Sequence, residues 1–207
     1  MKLLPLAGVA GAATLSTIAI TDALWKGFQN NAPPPWNFTD GYPWMIAGIN
    51  FGHALPYLLL MVVLIQVGPR LDTGGYVRWV RRLLIVAFAL FAAMAIWGLF
   101  TGANESALGI FEIVPTIVFF ALLLLPVMLG VPLLRRRALR LPAILLAGSL
   151  LAVIGAFAIS ASPFAHPAYA EAMALFGVAL LPFALDDESS PRPARSMRGE
   201  ALVGAKQ

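Results

Sequence analysis

The segment GYPWMIAGINFGHALPYLLLMVVLIQVG, residues 41–68, decides how this chain folds. It is long and apolar enough to cross a bilayer as one helix. At about 100° per residue, its polar side chains share one face and two of its glycines lie nearly opposite. The polar residues are Asn50, His53 and Tyr57, and the glycines are Gly48 and Gly52. Neither face suits lipid, so the pattern predicts a central membrane helix that packs through its glycines and lines something polar.

The composition extends this prediction to the whole chain. Of the 207 residues, 60% are hydrophobic and 12% are charged, whereas a soluble domain has about 25% charged residues. Successive apolar windows with short polar breaks predict an all-α, polytopic membrane protein, a six-transmembrane-helix bundle. The bundle is expected over residues 1–185, followed by a disordered cytoplasmic tail at 186–207. The spans are expected at about 3–21, 42–67, 83–100, 106–134, 141–161 and 164–185.

The first span follows Lys2, and a basic residue before an apolar run also resembles a signal peptide. The run is nearly as long as the bilayer is thick, which favours an uncleaved helix. Gly8 and Ala12 give this helix a small-residue face. We expect that face to dock on the Gly48 and Gly52 side of the second span. The residues from Asp22 to Pro43 are expected to lie outside the membrane.

Basic residues predict the orientation of the bundle. With six spans, nearly all of them fall on one side, and Lys26 alone falls on the other. The former are Lys2, Arg70, Arg78, Arg81, Arg82, Arg135, Arg136, Arg137, Arg140, Arg192, Arg195, Arg198 and Lys206. The positive-inside rule then puts both termini in the cytoplasm, and we expect a cell (plasma or inner) membrane protein. This rule explains the net charge of +4 without a nucleic-acid partner. The Ala/Leu/Arg/Pro-rich composition suggests a bacterial source.

Intramembrane polar residues collect in the outer half of the predicted bundle. On the fourth span, Glu105, Gly109, Glu112 and Thr116 form one polar stripe. His53 is the deep side chain that can become cationic, so the sequence predicts a Glu112–His53 pair, or a water network that includes Asn50 and Glu171. The candidate ligand-binding residues are Asn50, His53, Tyr57, Glu112, Thr116 and Glu171.

These residues support three functional hypotheses. The first is a protein that binds, senses or transports a small or amphiphilic molecule through an outward-facing polar pocket. The second is an accessory or structural subunit, whose partner is another protein or a second copy. The third is an intramembrane lipid or isoprenoid enzyme that uses a protonated glutamate. Membrane lipids are expected neighbours in each case.

The sequence favours neither a metal nor a cofactor. The chain has no cysteine, which excludes thiolate metal sites and cysteine nucleophiles. It has no phosphate loop, nucleophile elbow or HExxH motif, so no catalytic residue is assigned. Haem ligation by His53 and His166 is disfavoured, because their depths differ by roughly 10 Å on a helical rise.

Overall fold

A computed structural model of the chain describes residues 3–30, 32, 34, 43–101, 113–162 and 164–189. These residues form helices and short connections, with no strand among them. Six of the helices are long and apolar enough to cross a membrane, which confirms the predicted fold class. They are α1 (Leu3–Phe28), α2 (Pro43–Leu71), α3 (Gly75–Thr101), α4 (Ile113–Leu133), α5 (Arg140–Ala158) and α6 (Ala168–Ser189), and a 3₁₀ turn (Arg137–Leu139) precedes α5.

The helices form a closed ring in which each packs against the next, and α6 closes the ring between α5 and α1. Helix α6 also packs against α2 and α4. Of its apolar segment, 61% is buried, compared with 39% for α2. The central helix is therefore α6, whereas the sequence indicated α2. The reason is side-chain size: the buried face of α6 is rich in alanine, which lets neighbouring helices approach, while α2 exposes Phe51, Leu55 and Ile65.

Five helix boundaries differ from the sequence-based spans by four residues or more, including the end of α2 at Leu71 instead of residue 67 and the start of α6 at Ala168 instead of residue 164. Helix α1 continues to Phe28 instead of ending near residue 21, and its last turns contain an Asp22–Lys26 ion pair of 2.7 Å. Helix α3 begins at Gly75 instead of residue 83, so three arginines expected in a loop are helical. Helix α6 runs to Ser189 instead of 185. Charged residues are compatible with terminal turns that project beyond the hydrocarbon, so charge alone does not mark a helix end. Residues 106–112 and the tail from 190 lie outside the described residues.

One end of the bundle, which we call the arginine end, is organised by an ion pair between Asp72 and Arg81. The Arg81 guanidinium donates to both Asp72 carboxylate oxygens, with Nε–Oδ1 and Nη2–Oδ2 distances of 2.8 and 2.7 Å, and to the Leu64 carbonyl at 3.1 Å. Arg81 is only 9% exposed. The hydrogen bond from Arg81 holds the pKa of Asp72 below its ordinary value. This pair fixes the α2–α3 turn.

Two more arginines attach the end of α6 to the rest of the arginine end. Arg70 donates to the Asp186 carboxylate at 2.8 Å and to the Leu185 carbonyl. Arg136 donates to the Arg70 carbonyl at 3.0 Å and to the Glu188 carboxylate. Arginines that the sequence marked only as an orientation signal therefore also join α2, α6 and the α4–α5 turn.

Glycines set the contact between antiparallel helices α1 and α2. A Cβ atom at Gly8 would lie 2.8 Å from Val63, and one at Gly11 would lie 3.2 Å from Pro56. At Gly52 it would lie 2.8 Å from Ile18, so Gly52 contacts α1 as expected. The expectation for Gly48 is wrong: a Cβ there would meet nothing within 4 Å, and the residue is exposed. Gly48 therefore does not contact α1.

At the closest contact between two helices, adding one methyl group should strongly lower the stability of the bundle. A Cβ at Gly130 of α4 would lie 2.5 Å from the Ala147 backbone nitrogen and 2.9 Å from the Ala143 carbonyl oxygen of α5. Because backbone atoms cannot rotate away, Gly130→Ala should destabilise the bundle by about 1–3 kcal/mol. Thermal unfolding in detergent measures this. Gly155→Ala on α5 is the matched control, since its Cβ meets nothing. Equal melting temperatures for the two variants would contradict the packing.

Candidate functional site

A hydrogen bond between Tyr57 and Glu171 joins α2 to α6 inside the bundle. The Tyr57 hydroxyl donates to Glu171 Oε1 at 2.6 Å. The Tyr57 ring is almost fully buried, and it stacks on Phe91 at 5.1 Å between centroids and lies 5.5 Å from Phe88. Both aromatic neighbours belong to α3. Three helices thus hold the Tyr57 hydroxyl in position to orient the carboxylate.

This hydrogen bond shows that α6 begins deep in the bundle. Tyr57 follows the first residue of α2 by 14 positions, roughly 21 Å of helix, whereas Glu171 follows the first residue of α6 by three, roughly 5 Å. The two helices run side by side, because Arg70 meets Asp186 a similar distance further on. The start of α6 is therefore recessed by roughly 10–15 Å relative to that of α2. Irregular backbone at such depth is tolerated where protein covers it or water reaches it.

His53 and Asn50 lie on the same face of α2, above Tyr57. His53 Nδ1 is 2.8 Å from the Ile49 carbonyl oxygen, so it donates to that carbonyl. Asn50 is 3% exposed, and its Nδ2 donor makes no hydrogen bond with any described residue. A buried donor without an acceptor costs about 1–3 kcal/mol. The shared face predicted from the sequence thus includes a buried amide that lacks a protein acceptor.

Ser16 of α1 is a second such group, and the sequence analysis missed it. It is 4% exposed, and its hydroxyl has no partner among the described residues. The Gly11–Pro56 and Gly52–Ile18 contacts place it at the level of His53. The signal available was a small hydroxyl residue beside Thr17 on an otherwise apolar helix. We call the five residues Ser16, Asn50, His53, Tyr57 and Glu171 the polar site.

An apolar groove of about 340 Å³ lies on the outer side of the α1–α2 contact, and we call it the seam groove. It is present where Gly48 has no side chain and where a Cβ would meet nothing within 4 Å. Its lining includes the sequence neighbours of two polar-site residues, Thr17 next to Ser16 and Ile49 next to Asn50. The full lining is Thr17, Ile18, Thr21, Trp44, Met45, Gly48 and Ile49. The groove and the polar site thus lie on different sides of the same helix pair.

His166 caps the recessed start of α6. Its Nδ1 accepts a hydrogen bond of 3.2 Å from the Ala168 backbone N–H, and its Nε2 lies 3.6 Å from Asp22 Oδ2 on α1. Burial, followed by the charge of Lys26, lowers the pKa of His166 below its ordinary value of 6.5, and the opposing effect of Asp22 is smaller. The neutral imidazole thus keeps a free lone pair on Nδ1 for the cap. We call this the histidine end of the bundle.

The structure brings together part of the predicted set. Asn50, His53 and Tyr57 share a face of α2, and Glu171 meets Tyr57. Glu112 lies outside the described residues, so its pairing with His53 stays a prediction, as does the predicted Asn50–His53–Glu112 cluster. Thr116 is exposed in the first turn of α4. Within the described ranges, no three His, Asp or Glu residues are grouped so that they could hold a metal ion.

The cap predicts a pH dependence of stability. Because the folded pKa of His166 lies below 6.5, the unfolded chain binds the proton first as the pH falls. The contribution is complete above pH 6.5 and is lost as the pH falls through 6.5 toward the folded pKa. Melting temperature, measured from about pH 7.5 to 5, should fall more for the wild type than for His166→Asn, which keeps a capping acceptor but does not titrate. Identical pH profiles would contradict this role.

Comparison of the chain with protein-family models, with curated protein sequences and with solved structures finds no match to any of the three.

Proposed function

We propose that this membrane protein binds a small amphiphilic molecule near the histidine end, where the polar site and the seam groove lie on opposite sides of the α1–α2 pair. The observation that carries the proposal is the buried amide of Asn50, whose Nδ2 has no acceptor among the described residues. Sensing or transport of that molecule would be built on the same binding step.

The polar site supports binding because it is energetically incomplete. Ser16 and Asn50 are almost fully buried, and each leaves a polar atom without a described partner. In hydrocarbon such groups are destabilising, and intramembrane polar residues commonly mark a ligand or ion pathway. A purely structural network would more readily be satisfied within the protein, as the Arg81–Asp72 pair at the arginine end is. A ligand that accepts from Asn50 would remove part of this cost.

The seam groove supports an amphiphilic ligand over a wholly polar one. Its surface is almost entirely apolar, and its size suits a short alkyl chain or one ring. A molecule in the membrane can reach it laterally, without crossing the headgroup layer. The groove lining includes Ile49 and Thr17, the sequence neighbours of Asn50 and Ser16, so the groove and the polar site lie at the same level of the helix pair.

The proposal includes an orientation in the cell membrane. Arginines 70, 78, 81, 82, 135, 136, 137 and 140 follow or begin helices at the arginine end, whereas the basic residue at the histidine end is Lys26. The positive-inside rule supports a cytoplasmic arginine end, with both termini on that side. The polar site would then open toward the outer side, near the recessed start of α6.

The groove proposal is tested by filling it. Gly48→Leu places a side chain in the seam groove, and because a Cβ at this position meets nothing within 4 Å, folding should be retained. Small molecules extracted from the purified protein and identified by mass spectrometry should include a species present in the wild type and lost in Gly48→Leu.

Gly155→Leu is the matched control, because this α5 glycine is also exposed and has nothing within 4 Å of its Cβ. It should carry the same species as the wild type. Equal amounts in all three proteins, or no species in any of them, would overturn the proposed function.

The orientation is tested by cysteine labelling, which is direct because the chain has no native cysteine. Single cysteines at Gln29 and Ser160 should react with an impermeant thiol reagent added to intact cells. A cysteine at Gly74, in the α2–α3 turn, should react only after the membrane is opened. Reaction at Gly74 in intact cells would reverse the proposed orientation.

A further inference from the structure

Negative charge is in excess at the histidine end of the bundle. Asp22 and Lys26 form an ion pair of 2.7 Å, which leaves the Glu171 carboxylate without a lysine or arginine partner among the described residues. Charge complementarity at this end therefore favours a cationic ligand.

Glu171 has unused capacity to accept hydrogen bonds. Its Oε1 accepts from the Tyr57 hydroxyl, and its second carboxylate oxygen has no hydrogen-bond donor within the part of the chain that the structure describes. His53 uses its Nδ1 on the Ile49 carbonyl. A carboxylate in a low-dielectric interior requires a counter-charge as well as hydrogen bonds. An ammonium group supplies both.

Aromatic rings next to the carboxylate add to the attraction for a cation. The Tyr57 ring forms one group with Phe91 and Phe88, at centroid distances of 5.1 and 5.5 Å. The face of an aromatic ring attracts an ammonium group through the quadrupole of the ring, whereas the ring edge is electropositive and does not.

Asn50 sets a second requirement. Its unpartnered Nδ2 is a donor, so the ligand must present an oxygen acceptor. Asn50 lies one turn above His53 on α2, and residues at this spacing are about 5–6 Å apart at Cβ. Tyr57, which bonds Glu171, is seven residues from Asn50 on α2, so the acceptor should lie roughly 10 Å from the ammonium.

We infer that the ligand is an amphiphilic amine, with its ammonium group on Glu171 and an oxygen acceptor on Asn50. This inference rests on the proposed function and names its ligand class. Only non-covalent binding is involved.

The test uses three amphiphiles with the same ten-carbon chain: decylamine, decanol and decanoate. The full-length protein is reconstituted in phosphatidylcholine nanodiscs at neutral pH, and each amphiphile is titrated while thermal stability is followed. Decylamine should raise the melting temperature of the wild type in a saturable manner, with decanol and decanoate at least about ten-fold weaker. Glu171→Gln should weaken decylamine binding by at least about ten-fold, because it removes the charge from a buried pair.

Two further variants complete the design. Asp186→Asn removes a carboxylate at the arginine end and should leave decylamine binding unchanged. Tyr57→Phe frees Glu171 Oε1 but keeps the carboxylate, so this variant should bind decylamine at least as well as the wild type does. It keeps the inference testable if Glu171→Gln does not fold.

Two results would overturn the inference that the ligand is an amine while leaving the proposed function in place. One is equal binding of decanol and decylamine, and the other is unaltered decylamine binding by Glu171→Gln. No saturable binding of any amphiphile, together with no co-purifying small molecule, would overturn both.

Discussion

The constraint on which this structure depends is that hydrocarbon offers no hydrogen bonds, so each polar group within a membrane bundle needs a partner in the protein, in water or in a ligand. At the arginine end the partners are in the protein. Arg81 is almost buried, yet its guanidinium is bound by Asp72 and by the Leu64 carbonyl. Breaking one side of such a buried pair costs about 3–5 kcal/mol, because the remaining charge stays behind. At the polar site the same requirement is met for Tyr57 and is not met by the described residues for Ser16 and Asn50.

Close packing between helices depends on glycine for a related reason. Lipid tails are as apolar as leucine, so helices gain little by hiding apolar side chains from lipid and depend more on close backbone contact. Gly130 achieves this between α4 and α5, and Gly177 of α6 lies against Leu146 of α5 in the same way. Gly48 is the exception that matters for function. The missing side chain leaves space that no neighbour fills, and the seam groove occupies it.

The fold could be predicted from the sequence because six long apolar windows and short breaks leave few alternatives. The shared face of Asn50, His53 and Tyr57 followed from helical periodicity alone. The hydrogen-bond partner of Tyr57 could not be predicted in this way, because it depends on how far α6 is recessed. Apolar windows fix the depth of a helix only to within a few residues. Gly48 and Gly52 looked equivalent in sequence, yet only Gly52 meets α1, since two helices that cross touch over a limited length. Ser16 was missed because a serine or threonine hydroxyl on an apolar helix is usually satisfied locally.

The recessed start of α6 connects these observations. A helix of 22 residues that began level with α2 would carry Glu171 far above Tyr57, and the hydrogen bond between them could not form. At that depth the Ala168 backbone N–H has no backbone acceptor among the described residues, and His166 accepts its hydrogen bond instead. His166 also lies beside Asp22, so it places the start of α6 against α1. The carboxylate of Glu171 therefore depends on α1 for its position, on α2 for its hydrogen bond and on α6 for its depth. An occupant of the polar site would contact groups from the same three helices, so its binding energy would oppose their separation, and binding and bundle stability should be thermodynamically linked.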